Sequence, residues 1–205
     1  MSLILALQGG PRAVIQAALA AFAARRRVEG CRIAGLVEVT DATDGPGCAG
    51  HALQDLRSGR GYPIAQDLGR RSDSCHLDGD GVATACQAVT NALADGCDVL
   101  VLAKFGKLES TRSGLVDAFG RAIERGIPIL TAVAPIYTAG WVRFAGDLAT
   151  FARPDAAEIE DWWQTVRPDL TSPPSEGLLA GTPLGPRPPR PVNATRDHGL
   201  AVDPH

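Results

Sequence analysis

The chain contains no apolar stretch long enough to cross a membrane, and its first residues lack the basic segment, apolar stretch and small-residue cleavage site of a signal peptide. It also has no excess of positive charge. The formal net charge is −3, which gives no reason to expect a nucleic acid or an anionic membrane as a partner. The five cysteines are scattered and odd in number, which favours reduced thiols. We therefore expect a cytoplasmic protein.

The sequence shows neither an internal repeat nor the Ser/His/Asp or Cys/His pattern of nucleophilic catalysis. Its 205 residues are 45% hydrophobic and 21% charged, which is typical of a globular protein with one sizeable core. Residues 168–205 have no apolar periodicity and hold nine of the fifteen prolines. This composition predicts a disordered Pro-rich tail after a domain at residues 1–167.

The order of apolar runs and helical faces predicts an α/β domain of three layers with a mostly parallel sheet and a β-hairpin insert. Strands are predicted at 2–7, 31–39, 99–103 and 129–133, hairpin arms at 52–56 and 62–67, and helices at 11–29, 82–93, 115–124, around 141–148 and from 155 onward. The uninterrupted apolar run at 99–103 indicates a strand covered on both faces. Ligands of such sheets gather at the carboxyl ends of the strands.

The first candidate site is the turn after the first strand, with Gly9, Gly10 and Arg12. A glycine turn that opens a helix presents backbone N–H groups to a phosphate or another oxyanion. A working phosphate loop has the pattern G-x-x-x-x-G-K-[ST], and here the spacing is too short and no Lys or Ser/Thr follows the glycines. The phosphate loop is therefore eroded, and the alternative is an ordinary tight turn.

The second candidate site follows the central strand and contains charged residues of both signs: Lys104, Lys107, Glu109 and Arg112, with Gly106 among them. In an ATPase this position usually bears an acidic residue that orients magnesium or water. Two lysines and an arginine against one glutamate favour holding an anion over activating water. The alternative is a solvated loop.

A third set of residues, Cys48-x-x-His51 with Cys75 and His76, contains ligand types that zinc accepts. Adjacent Cys75 and His76 reach one ion only with unusual backbone geometry, so polar loop residues are the alternative to a metal site. We assign no metal ligand. His76, or Cys75, is instead a candidate to contact a bound anion.

Several segments together resemble the bacterial domain-of-unknown-function family two-four-seven-eight, which is similar to the thermophilic nucleoside-triphosphatases of the phosphate-loop class. They are 17–26, 32–37, 75–78, 126–133, 141–146 and, as the most specific, the segment 104–109 (Lys-Phe-Gly-Lys-Leu-Glu). The resemblance covers nearly all of residues 3–163. It implies a phosphate-loop NTPase type of fold with an eroded loop. It also implies a link to molybdate or its cofactor, because family members tend to be encoded near molybdate uptake genes.

These observations lead to three hypotheses. The first is a cytoplasmic protein that binds a small anionic ligand, either a nucleotide or an oxyanion such as molybdate, between the Gly9-Gly10 turn and the loop from Lys104 to Arg112. The second is an active nucleoside-triphosphatase in which Glu109 positions water and Mg²⁺ is held by the nucleotide's phosphates. The third is an interaction scaffold whose Pro-rich tail engages a partner.

Overall fold

The computed structural model describes residues 2–40, 51–66, 76–77 and 79–167. Its strands are β1 (Ile4–Leu7), β2 (Ile33–Thr40), β3 (His51–Asp55), β4 (Gly61–Pro63), β5 (Ala65–Gln66), β6 (His76–Leu77), β7 (Val99–Phe105), β8 (Ile129–Val133) and β9 (Ala149–Ala152). Its helices are α1 (Arg12–Val28), α2 (Gly79–Ala94), α3 (Lys107–Ser110), α4 (Val116–Glu124), α5 (Thr138–Ala145) and α6 (Ala156–Val166). Single 3₁₀ turns, Pro135–Tyr137 and Gly146–Leu148, flank α5. The predicted tail, Cys48 and Cys75 lie outside the described residues.

Seven of the strands form one sheet in the order β4-β3-β2-β7-β8-β1-β9. The strand pairs β2–β7, β7–β8, β8–β1 and β1–β9 are parallel. The pairs β2–β3 and β3–β4 are antiparallel, and β3 and β4 form the predicted hairpin. Strands β5 and β6 form a separate two-stranded ribbon. The α/β class with a mostly parallel sheet and a hairpin insert is therefore confirmed.

Strand β7 lies near the middle of the sheet and is covered on both faces. Val99 and Val101 pack with residues of α1 and α6, and Leu100 and Leu102 pack with residues of α2, α4 and α5. None of these four side chains is accessible to solvent. Full burial of such a side chain contributes about 1.5–3 kcal/mol. The three layers that the apolar run predicts are thus present.

Two strands, β7 and β9, differ from the sequence-based expectations. Strand β7 extends through Lys104 to Phe105, so that Lys104 belongs to the strand rather than to the loop after it. Strand β9, for which we predicted no strand, pairs in parallel with β1 at the edge of the sheet. Its residues are half-buried or exposed, with Phe151 43% exposed, so its sequence carries no continuous apolar signal.

In the described part of the chain, no helix has the length and apolarity needed to span a membrane.

The amino-terminal ends of β2 and β7 are joined by Arg32 and Asp98. The backbone N–H of Arg32 donates to Asp98 Oδ2 over 2.7 Å, and Arg32 Nη2 donates to Oδ1 over 2.6 Å. The backbone N–H of Asp98 returns a hydrogen bond to the Arg32 carbonyl oxygen. Burial acts to raise the pKa of Asp98, but the hydrogen bonds from Arg32 outweigh it and hold that pKa below its usual value.

This pair makes part of the stability of the fold dependent on pH. Because the folded-state pKa of Asp98 is depressed, its contribution is complete above the ordinary Asp pKa of about 4 and is lost as the pH falls through the lower, folded value. We expect Asp98→Asn to destabilise the protein at neutral pH and to flatten the loss of stability between neutral and acidic pH. Denaturant unfolding at several pH values measures both effects. The exposed Asp147→Asn serves as control, and an equally flattened profile in that variant would contradict the assignment.

Candidate functional site

A cavity of about 990 Å³ lies where the carboxyl ends of β1, β2, β7 and β8 meet. This is the edge at which parallel α/β sheets bind ligands. The cavity brings together most of the residues singled out from the sequence: Gly9, Gly10, Arg12, Lys104, Gly106, Lys107 and Glu109. The two candidate segments, 95 residues apart in sequence between Arg12 and Lys107, therefore share one cavity.

The glycine turn after β1 shapes one end of the cavity. Gly9 adopts a φ of 87°, a conformation that favours glycine, and a Cβ on Gly10 would lie 2.9 Å from Pro154 Cγ. Helix α1 then begins at Arg12 without a side-chain cap, and its first intrahelical hydrogen bond runs from the Ile15 N–H to the Pro11 carbonyl. The N–H groups of its first turn therefore remain available to an anion.

Glu38, which the sequence analysis did not single out, lies at the centre of the charged groups. Its side chain is 3% exposed. Arg12 Nε donates to Glu38 Oε2 over 2.5 Å, and Lys104 Nζ lies 2.5 Å from Oε1 as an ion pair without a directed hydrogen bond. A single charged residue within the apolar strand 33–39 is the signal that could have identified it.

Gln16 bridges two strands beneath this carboxylate. Parallel pairing of β2 with β7 ends at Leu36 and Leu102. Beyond that point the Gln16 side chain accepts a hydrogen bond from the Glu38 N–H and donates one to the Ala103 carbonyl, both over 2.8 Å. A buried amide on the apolar face of α1 replaces the missing strand-to-strand hydrogen bonds, which buried backbone groups require. The sequence signal is a glutamine within the buried stripe of that helix.

Glu109 is the second buried carboxylate of the cavity, and its environment differs from that of Glu38. Its Oε2 accepts a hydrogen bond from the Gly106 N–H over 2.9 Å, and its Oε1 accepts one from the Leu115 N–H over 3.0 Å. Both oxygens therefore hold the backbone on either side of α3. The role in positioning water that we considered for Glu109 stays a prediction, and these two bonds favour a structural role.

The remaining predicted site residues are Lys107, Arg112, Cys75 and His76, and the ion pairs of Glu38 with Arg12 and Lys104 do not include them. Lys107 is exposed at the start of α3, lines the cavity and has no ion-pair partner within the described ranges. Arg112 is exposed after α3, with a φ of 61°, and does not line the cavity. His76 contributes its backbone to β6, while Cys75 lies outside the described residues. Their contact with a ligand stays a prediction.

Apolar side chains complete the lining of the cavity. They come from the hairpin, from α1, α2 and β8, and from the segments before α4 and after β8: Ile15, Leu53, Ile64, Val82, Leu115, Val133 and Pro135, with Tyr137 beside them. A cavity of this volume that combines convergent charges with apolar groups is typical of small-molecule sites. It suits a ligand with an anionic part and an apolar part.

No group of three potential metal ligands occurs in residues 2–40, 51–66, 76–77 and 79–167. His51 is half-buried in β3. The zinc hypothesis also involves Cys48 and Cys75, so half of that ligand set lies outside the described part. Of the other cysteines, Cys31 and Cys97 are buried and Cys86 is half-buried. Burial raises the pKa of both Cys86 and Cys97 to about 11, so these thiols are poor nucleophiles at neutral pH.

The family described as "Protein of unknown function (DUF2478)" matches residues 4–162, and the chain belongs to this family. The mostly parallel sheet, together with similarity to an ATP-binding protein, assigns the domain to the α/β class of the phosphate-loop NTPase type. The chain is also 38% identical over 155 residues to the "Molybdenum import ATP-binding protein ModC 2" of Bradyrhizobium diazoefficiens. The match covers 75% of this chain but spans only 17% of that protein's length. No solved structure matches significantly.

The structural role of Glu109 predicts a specific sensitivity at Gly114. This residue has a φ of 62°, and a Cβ there would overlap Glu109 Oε1. Gly126 has nearly the same φ, 65°, with nothing within 4 Å of its Cβ position. Both Gly→Ala variants carry the cost of a left-handed conformation, about 1–2 kcal/mol. We expect Gly114→Ala to lose about 1–3 kcal/mol more, because it also displaces a buried hydrogen-bond acceptor.

Urea unfolding of the two variants measures this difference directly. Gly126→Ala is the matched control, because it changes the same residue type in the same backbone conformation. Equal losses of unfolding free energy in the two variants would show that the hydrogen bonds of Glu109 contribute nothing to the fold.

Proposed function

We propose that this protein is a nucleotide-binding protein of the cytoplasm, with the phosphates of its ligand at the Gly9-Gly10 turn. The observation that carries the proposal is the shared cavity. The open amino terminus of α1 and the side chains of Arg12, Lys104 and Lys107 meet there. Phosphate oxygens are the groups that such amides and cations bind best. The name of the similar ModC 2 protein, which includes ATP binding, supports the same ligand class.

The apolar wall favours a nucleotide over a bare oxyanion. A molybdate or phosphate ion has no apolar surface to bury, and it would fill only a small part of a cavity of about 990 Å³. The sugar and base of a nucleotide can cover the side chains of Leu53, Ile64 and Val82 while its phosphates contact the cations of the same cavity. Molybdate is the second candidate ligand, and the words "molybdenum import" in the name of the relative favour it.

The residues of the cavity fit nucleotide binding without efficient hydrolysis. No Ser or Thr follows Gly10 to hold a magnesium ion, and Arg12 stands at the first helical position instead. Glu109, the carboxylate expected to position water, already accepts two backbone hydrogen bonds. An active nucleoside-triphosphatase is the alternative function, and the similarity to an ATP-binding protein supports it.

The ligand-binding proposal predicts the effect of removing a single cation. We expect wild-type protein to bind ATP or ADP in isothermal titration calorimetry, and Lys107→Ala to bind more weakly by about tenfold or more, since a charge-assisted contact is worth about 1.5–3 kcal/mol. The control is Arg27→Ala, an exposed residue in the last turn of α1 that also removes one positive charge. Molybdate and tungstate are titrated in parallel.

Equal affinities in Lys107→Ala and Arg27→Ala would place the ligand elsewhere, and heats for molybdate alone would favour the second ligand. Lack of binding of every anion would refute the proposed function.

Hydrolysis is tested separately by phosphate release from ATP with Mg²⁺. We expect the rate of the wild type to equal that of Glu109→Gln, because Glu109 is engaged by the backbone. Release by the wild type well above that of the variant, with both proteins folded, would establish the alternative of an active nucleoside-triphosphatase.

A further inference from the structure

The charged side chains that line the cavity are nearly balanced in sign. Within the described ranges the lining contains three cationic residues and two carboxylates: Arg12, Lys104, Lys107, Glu38 and Glu109. Arg12 and Lys104 both form ion pairs with Glu38, so Lys107 is the cation of this lining without an acidic partner. The described lining therefore has one positive side chain in excess, which suits a ligand with little negative charge.

The burial of Glu38 limits how far its two cations can move towards a ligand. The Glu38 side chain is 3% exposed, whereas those of Arg12 and Lys104 are 53% and 50% exposed. If both cations turned away, a buried carboxylate would lose its compensating charge, which is strongly unfavourable. Arg12 bonds to Glu38 through Nε, so its two terminal nitrogens can contact a phosphate while the ion pair persists. We therefore expect both cations to stay close to Glu38 when a ligand binds.

The turn between β1 and α1 offers few backbone donors. It consists of the four residues from Gln8 to Pro11. The Gln8 N–H donates to the Ala152 carbonyl, and Pro11 has no N–H. The side-chain amide of Gln8 is engaged as well, because it donates to a carbonyl of β8 and to a hydroxyl of α5. The donors left for an anion are the N–H groups of Gly9 and Gly10 and those of the first turn of α1.

A turn this short differs from a phosphate loop in what it can enclose. The loop of pattern G-x-x-x-x-G-K-[ST] surrounds a chain of phosphates with successive backbone N–H groups. Here the two glycines are adjacent, and α1 begins two residues after Gly10. The donors are therefore confined to the start of α1, where they can serve one phosphate group.

We propose that the cavity selects nucleotides with a single phosphate, so that a nucleoside monophosphate is its preferred ligand. This inference rests on the proposed function and narrows its ligand class. The phosphate contacts the N–H groups at the start of α1 together with the cations, and the rest of the cavity of about 990 Å³ takes the nucleoside. Additional phosphates add negative charge near Glu38 faster than the described lining can compensate it, so ADP and ATP bind more weakly.

Glu38 is the residue that sets this preference. A neutral side chain at this position would release Arg12 and Lys104 from their ion pairs and leave the described lining with two positive side chains in excess. Such a cavity should favour the nucleotide with the most phosphates, because each further negative charge is then attracted. The order of the affinities for AMP, ADP and ATP therefore reports on this carboxylate.

The experiment is calorimetric titration of AMP, ADP and ATP into the full chain, for the wild type, Glu38→Gln and Glu124→Gln. EDTA is present throughout, so that each nucleotide carries its own charge. Glu124 is exposed at the carboxyl end of α4 and gives a control with the same loss of charge. We expect the wild type and the control to bind AMP about tenfold more tightly than ATP, with ADP between them, because of the repulsion near Glu38. Glu38→Gln should bind ATP at least as tightly as AMP.

Each departure from this pattern has its own meaning. Tighter binding of ATP than of AMP by the wild type would overturn the inference and leave the proposed function intact. An AMP preference of the same size in Glu38→Gln and Glu124→Gln would show that Glu38 does not set it. Adenosine should bind more weakly than AMP by about tenfold or more, and equal affinities would remove the phosphate contact on which the inference rests. Lack of binding of every nucleotide would refute the proposed function as well.

The thermal melt of Glu38→Gln, followed by circular dichroism, shows whether this variant is folded. Arg12 and Lys104 are half-exposed, so water can solvate them once the carboxylate is gone. If the variant does not fold, the order of affinities in the wild type still decides the number of phosphates. Tightest binding of AMP then supports the inference, and tightest binding of ATP overturns it.

Discussion

The gap that opens between β2 and β7 beyond Leu36 and Leu102 is the constraint on which the site depends. Two strands that stop pairing inside a protein leave backbone groups that need partners, and each unsatisfied group costs about 1–3 kcal/mol. Gln16 supplies both partners from α1, through the Glu38 N–H and the Ala103 carbonyl. Because the strands are held apart but remain satisfied, the carboxyl edge of the sheet has room for a cavity with charged groups.

The two buried carboxylates of that cavity differ in what stabilises them, and this difference divides structure from function. Backbone N–H groups on either side of α3 hold Glu109. Half-exposed side chains, those of Arg12 and Lys104, hold Glu38. The first carboxylate therefore shapes the loop, while the second sets the position of two cations that line the cavity.

Much of the fold could be predicted from the sequence, because β7 begins with five apolar residues, β8 is apolar apart from Thr131, and the hairpin has a glycine turn. The meeting of the Gly9-Gly10 turn with Lys107 followed from the rule that the carboxyl ends of parallel strands share an edge. The partners of Glu38 could not be predicted, since Arg12 and Lys104 are 26 and 66 residues away and depend on the strand register. The edge strand β9 was missed because it is exposed on its outer side.

The most direct test of the central claim is a titration of ¹⁵N-labelled protein with ADP and Mg²⁺, followed by amide NMR shifts. The account predicts that the amides of Gly9, Gly10 and Lys107 shift together along one saturation curve, while that of Arg27 at the far end of α1 does not. Shifts confined to another region, such as the smaller cavity between α2 and α4 around Thr90, would contradict it. So would the absence of any shift at saturating nucleotide.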